Sequence, residues 1–354
     1  MPSAWILHNR PLLDAKDHQA VTKVLSSQWV AEGAITRTFE QETAGFLKRR
    51  YAKAVSTGTA ALHLALLALQ IGRGDEVLLS TYSCTALLNA IHYTGAVPVL
   101  ADIDERNLGP SRLSLRWLVN RKTRAIIVNH AFGFPADILK IKEFGIPVVE
   151  DCAQALGGSI DGEPLGSFGD LSICSFYATK MITSGCGGMV LTHRRKWAGR
   201  IRDLSHYDQR SDYKVRYNYS LSDLSSALGL SQLKKLGNFV RKRTMISKRY
   251  EQILRSTDFY YWTGQRRGEC PNFYRFPIGS LRPFAFYKKI FARHKIQIIS
   301  PLEPYQLLHR YLDLDRKRFP VAEALSRTLI SVPIYPALSP PEVDRICRVL
   351  KELN

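Results

Sequence analysis

The sequence predicts an α/β fold: a three-layer α/β/α unit around a mostly parallel sheet, followed by a smaller α+β unit. Three observations carry this. Through residue 237 of the 354, short apolar runs rich in β-branched residues alternate with helical stretches, the pattern of parallel strands buried on both faces by their crossover helices. One such run, 146–149, ends in Glu150 and Asp151 and so delivers a carboxylate to a strand's C-terminal end, where open α/β sheets place ligands. From about residue 238 the alternation gives way to a helix over 241–255, a few strands and turns, and a terminal helix, SPPEVDRICRVLKEL. A chain of this length is long for one compact unit, and the change of pattern divides it into a large unit, 1–237, and a small one, 238–354.

Taken in order, Leu12, Leu13, Ala20, Val21, Val24 and Leu25 space an amphipathic helix over 10–26. A turn at Gly33 leads into a second helix packed through Phe39 and Phe46, with Trp29 in the intervening loop. A short strand over 52–55 runs into Ser-Thr-Gly-Thr (56–59) and the helix ALHLALLALQIG. Small residues that present backbone N–H groups at a helix N-terminus make an anion site at Gly58 and Thr59, although a hydroxyl residue in such a place is also an ordinary cap. A strand over 76–79 is followed by a loop carrying Tyr82 and Cys84, then a helix and the next strand. The strand over 125–128 exits at Asn129 and His130, where a lone histidine serves packing as readily as chemistry. Gln154 follows Asp151 by three residues. The run over 171–177 leads at once to Ala178, Thr179 and Lys180 and then to the glycine-rich SGCGGM turn, so Lys180 sits at a strand exit beside pliant backbone. Residues 189–195 read as an edge strand and RIRDLSHYDQ as a helix.

Composition excludes several classes. No apolar run reaches the roughly 18 residues of a membrane span, and charges and prolines stand where a signal peptide would be apolar, so a cytoplasmic protein is expected. Six cysteines without a C-x-x-C pair fit reduced thiols, and no metal is expected. The net charge of +19 is spread in short clusters such as LKRR, THRRK and RKRTMISKR, without a nucleic-acid motif between them. Attraction of an anionic substrate, or a merely basic surface, accounts for it better than nucleic acid does.

A strand-end Asp151, Gln154 three residues on, and Ser175 five residues before Lys180 match the needs of a pyridoxal 5'-phosphate (PLP) site. The lysine amine forms a Schiff base with the cofactor aldehyde, and a carboxylate partners the pyridinium nitrogen. More narrowly, VVEDCAQALGGSIDGEPLGSFGDLSICSFYATK resembles the DegT/DnrJ/EryC1/StrS family of PLP-dependent sugar aminotransferases, with its Asp-x-x-Gln, Gly-x-x-Gly-Asp and Ser-Phe-x-x-x-Lys elements in this order. The resemblance implies a fold-type I enzyme of the aspartate aminotransferase superfamily, in which Lys180 and Asp151 are catalytic. Gly58, Thr59 and Ser175 would hold the cofactor phosphate, Gln154 would meet the ring, and Asn218 would reach the phosphate of the neighbouring subunit. Trp29 belongs to a loop that lies near substrate in the family. An aromatic residue usually stacks on the ring from the loop after the 76–79 strand; here the matching position is Cys84, with Tyr82 two before it, and either one meets the cofactor. Two further departures are Ser220, where the family has Arg, and Cys186, where it commonly has an acidic residue. Residues 256–300 match the family pattern poorly.

The implied reaction is a ping-pong transfer of an amino group from L-glutamate to the keto group of a nucleotide-linked deoxysugar, in a homodimer with shared active sites. A PLP-dependent sugar dehydratase is the second enzyme reading, disfavoured because those relatives lack the lysine present here. A family member that keeps the fold as a regulatory or binding protein is the third.

Overall fold

The computed structural model describes residues 5–264 and 267–353. Its central element is a seven-stranded sheet in the order Tyr51–Val55, Gly188–Thr192, Leu171–Ser175, Val148–Asp151, Thr123–Asn129, Glu76–Ser80, Val97–Ala101. The last five of these are parallel to one another, and Gly188–Thr192 runs antiparallel to both its neighbours. Both faces of the sheet are covered, which explains why its strands read as unbroken apolar runs. Val77, Leu79, Ala125, Ile127 and Val149 join one apolar cluster, with the helix Gly58–Ala68. The alternate residues Leu78, Ile126, Val128 and Val148 join another, with Leu115, Ile138 and Ile141. Cys174, Met189 and Leu191 pack beneath Phe39, Leu236 and Phe239.

A second sheet is antiparallel, Tyr260–Tyr261, Phe276–Gly279 and Leu329–Val332, and the first of the clusters above continues into it through Phe276, Ile278, Leu329 and Ile330. A three-stranded ribbon joins Ser159–Ile160, Glu163–Pro164 and Glu269–Cys270. Among the described residues no helix is long and apolar enough to cross a membrane.

Most elements fall where periodicity puts them, with shifts of a few residues. The first helix is Ala15–Ser26, started by a capping box of Asp14 and Asp17. The helix Arg195–Leu204 begins and ends earlier than expected, and the long helix is Leu236–Leu254. Phe39 is buried as expected, but Phe46, expected to pack as well, is exposed, and one strand is misplaced. The strand at 189–195 is not an edge: Gly188–Thr192 is wholly buried between two neighbours, and Tyr51–Val55 takes the edge beside it. His193, Arg194 and Arg195 suggested a solvent-facing strand, but they follow the strand and do not belong to it.

Candidate active site

In the strand Val148–Asp151 successive side chains face opposite ways, and the two terminal carboxylates meet different fates. Glu150 is fully buried and accepts from the backbone N–H groups of Gly166 (2.6 Å), Phe168 (2.9 Å) and Gly169 (2.7 Å) and from His130 Nε2 (3.0 Å). Burial pushes its carboxyl up, but the His130 and backbone donors more than reverse this and hold it below the usual range. His130 Nδ1 accepts the Ala136 N–H at 2.9 Å, so Nε2 is the donor to Glu150. The Gly-Ser-Phe-Gly segment is therefore a cradle for Glu150, and a Cβ on Gly169 would fall 2.7 Å from Glu150 Cβ. His130, Glu150 and Cys152 place ligand-type atoms within 4.8 Å of one another, but both His130 nitrogens and both Glu150 oxygens are taken up by these bonds.

Asp151 faces the cavity. Its Oδ1 accepts the Ala153 N–H at 2.9 Å. Burial raises its carboxyl, against the pull of that N–H and of Lys180; a cationic N–H donor set against it would pull the same way as these.

Beside it the strand Leu171–Ser175 ends at Ser175, and across from it begins the helix Gly58–Ala68. Thr57 caps this helix by accepting the Ala60 N–H at 3.0 Å, while Gly58 and Thr59 stand at its first turn, where N–H groups have no intrahelical partner. A Cβ on Gly58 would lie 2.9 Å from Ser175 Cβ, and one on Gly188 would lie 2.3 Å from the Thr57 carbonyl oxygen. Only glycine lets the helix start, the Ser175 strand end and the Gly188 strand close this tightly.

The structure gathers Thr57, Gly58, Thr59, Cys84, Asp151, Ser175, Tyr177, Lys180 and Cys186 around one cavity. An adjoining cavity shares Cys84, Asp151, Tyr177 and Lys180 and adds Tyr82, Asn129, His130, Phe132, Gln154, Tyr274 and Arg275. Gln154 Oε1 accepts the Phe132 N–H at 2.7 Å. Cys84 lines both cavities and its thiol is raised by desolvation and by Asp151. Tyr82 lines only the second; it is buried, and its hydroxyl has no partner among the described residues. Asn218 is exposed and outside both cavities, as is Trp29, whose Nε1 donates to the Glu32 carbonyl.

Tyr274 and Arg275 are the residues that sequence reasoning missed. Lys180 Nζ lies 5.4 Å from the Tyr274 ring centroid and the Arg275 guanidinium carbon 5.7 Å from it. Burial pushes the Tyr274 phenol up, but the two cations and a hydrogen bond with Thr179 bring it below its ordinary value. Asn272 fixes the segment: Nδ2 donates to the carbonyls of Gln154 (2.9 Å) and Leu156 (3.0 Å), and Oδ1 accepts the Tyr274 N–H (2.9 Å). Fully buried Arg243 adds bonds from Nη1 to the carbonyls of Phe273 (3.0 Å) and Tyr274 (3.1 Å). The aromatic and basic run NFYRF was the signal available in the sequence, but nothing local says which wall it joins.

Comparisons with known proteins agree with this architecture. Over 370 aligned residues the chain is 33% identical to GDP-perosamine synthase of Escherichia coli O157:H7, covering 97% of each. Its fold superimposes on the aminotransferase TlmJ from Streptoalloteichus hindustanus with a TM-score of 0.90 at 28% identity over 98% of each chain. It also superimposes on Spr1654 from Streptococcus pneumoniae, solved in a PMP form, with a TM-score of 0.92 at 23% identity, covering 99% of this chain and 97% of that one. A family model matches residues 11–351, and the chain belongs to the DegT/DnrJ/EryC1/StrS aminotransferase family.

Proposed function

We propose that the protein is a PLP-dependent sugar aminotransferase that moves an amino group from L-glutamate to the keto group of a nucleotide-linked deoxysugar in two half-reactions. The observation that carries this is the meeting of Lys180 and Asp151 in one cavity with the helix start at Gly58 and Thr59. These residues fit the cofactor. The helix-start amides and Ser175 suit its phosphate, Asp151 suits the pyridinium N–H, and Lys180 suits the aldehyde. When bound, PLP supplies a carbonyl carbon to carry nitrogen and a ring that withdraws electrons from it.

The chain's own groups do the rest. Lys180 Nζ would hold the cofactor aldehyde and, once freed by the donor, would be the base placed to take the proton from the donor Cα and deliver it to the former aldehyde carbon on the other side of the nitrogen. Asp151, ionised against the ring N–H, would keep that nitrogen protonated, and Gln154, held by the Phe132 N–H, would meet the ring. Cys84 takes the place of the customary aromatic ring on the cofactor face. Exposed Asn218, outside its own chain's cavities, suits a contact with the phosphate held by a second subunit, and this supports a homodimer with shared sites. The likeness to a GDP-perosamine synthase supports a nucleotide-linked sugar, whose diphosphate suits the +19 surface. The small unit is taken to start at residue 238, close to the beginning of the helix Leu236–Leu254.

The test is the visible absorption of the purified protein. A cofactor band that bleaches with L-glutamate, recovers with keto-sugar nucleotide and is absent in Lys180→Ala is expected. A band that persists with every amino donor, in a protein that still binds sugar nucleotide, would replace the enzyme reading with a binding or regulatory one.

A further inference from the structure

Residues 271–302 contain no Asp or Glu but six Lys and Arg: Arg275, Arg282, Lys288, Lys289, Arg293 and Lys295. Four of these, Arg282, Lys288, Lys289 and Arg293, are exposed on the helix Phe284–Arg293 and the turn that leads into it. The inner side of this helix is ordinary. Tyr287 and Phe291 are buried in the apolar cluster that runs into the antiparallel sheet, and Phe284 and Ile290 pack against it. The outer side is not, because a surface helix usually turns only polar residues to water. Phe286 is 49% exposed on the same side as Lys289 and Arg293, at i, i+3 and i+7.

Just ahead of the helix, Leu281 is 74% exposed. The backbone on both sides holds it there: the Ser280 N–H and hydroxyl donate to the Thr328 carbonyl at 2.8 and 2.5 Å, and Pro283 stiffens the chain two residues on. Among the described residues none of Arg282, Lys288, Lys289 and Arg293 forms an ion pair. The acid that meets this stretch is Glu352, and it lies 3.4 Å from His294 Nε2.

We propose that the turn and helix over 281–293 are a contact surface for an anionic lipid bilayer, with the four cations among the headgroups and Leu281 and Phe286 inserted between them. The mixture of chemistries selects the partner. Nucleic acid would engage the cations through its phosphates and leave Leu281 in water. The attachment is reversible, since a ten-residue helix cannot span a bilayer and its charge contacts weaken with salt. This goes beyond the aminotransferase reading and uses no residue of that site.

The experiment measures co-sedimentation of the holoenzyme with vesicles of phosphatidylcholine, with and without about 30% phosphatidylglycerol. Binding to the anionic vesicles alone is expected, and it falls as salt is raised. Lys288→Glu with Lys289→Glu should lower the partition coefficient roughly tenfold or more. Leu281→Ser with Phe286→Ser keeps every charge and should still lower it several-fold. Arg121→Glu with Lys122→Glu, equally exposed cations in the turn before the strand Thr123–Asn129, should leave it within about twofold. The cofactor band and the unfolding midpoint stay in place in all three. No binding of the native protein to anionic vesicles at low salt overturns the proposal, as do equal losses in the two charge-reversed proteins, which would make the attraction a property of the whole basic surface. Undiminished vesicle binding in the serine variant, with binding of duplex DNA weakened in Lys288→Glu, Lys289→Glu, would overturn it in favour of nucleic acid.

Discussion

At the level of single residues, the two contenders for the cofactor face separate by position. Cys84 borders the cavity that holds Gly58 and Ser175, and Tyr82 does not. Cys84→Ala is expected to weaken PLP binding several-fold by spectrophotometric titration. Tyr82→Phe leaves that affinity unchanged and, by removing a buried hydroxyl without a partner among the described residues, raises stability by about 1 kcal/mol in thermal unfolding of the cofactor-free protein. Asp151, Gln154, Ser175 and Lys180 were legible as neighbours because they lie at or just beyond the ends of adjacent strands, and the structure brings all four to the two adjoining cavities. Glu150 was legible only as a neighbour. Its role depends on amides 16 to 19 residues further on, and no local pattern announces a carboxylate that accepts three of them. Tyr274 and Arg275 were hidden for the same reason at longer range, since Asn272 bonds to Gln154 across 118 residues of chain.

At the level of elements, the helix Ala34–Phe46 starts at Gly33, which has no side chain to cap it. Asp223 does so from 190 residues away, accepting from the N–H groups of Gly33 (2.8 Å), Ile35 (3.2 Å) and Thr36 (2.8 Å) and from the Thr36 hydroxyl (2.6 Å). Asp223→Ala strands several buried donors and is expected to cost about 3 kcal/mol in urea unfolding, more than an exposed cap. The existence of this helix was readable from its apolar spacing; the origin of its first turn was not. The helix that carries Gly58 and Thr59 also buries His63, whose Nδ1 meets the Tyr219 hydroxyl at 3.1 Å while Nε2 has no partner among the described residues. Burial lowers its pKa from the ordinary 6.5 to about 4. Between those values the unfolded chain takes up a proton that the folded one refuses, so stability falls as pH drops from 6.5 toward 4. In His63→Gln the unfolding free energy should fall less steeply across that window, by on the order of 3 kcal/mol at its acid end. Equal slopes for the two proteins would remove His63 as the cause.

For the whole molecule, the alternation of strands and helices gave the α/β class and the three layers, because a parallel sheet must be covered on both faces. Strand order was not available. Nothing in the spacing says that the strand nearest the chain start and the one ending at Thr192 lie side by side. The shared-site dimer has a direct test in mixed subunits. If Asn218 serves the neighbouring site, mixing Lys180→Ala with Asn218→Ala subunits leaves one intact site in each heterodimer and restores up to about a quarter of native activity, as two-fold symmetry requires. Sites built within one subunit would show no recovery.

The close approach of Gly188 to the Thr57 carbonyl has a further consequence, for the order in which the protein comes into being. The helix start at residues 58–59 leaves the ribosome early, yet the strand that clamps it arrives more than a hundred residues later. Until that strand threads between Tyr51–Val55 and Leu171–Ser175, the opening strand has no partner in the sheet. Contacts so distant in sequence form late. If the proposed phosphate site at Gly58, Thr59 and Ser175 depends on that clamp, a nascent chain stopped short of Gly188 is expected to bind no cofactor.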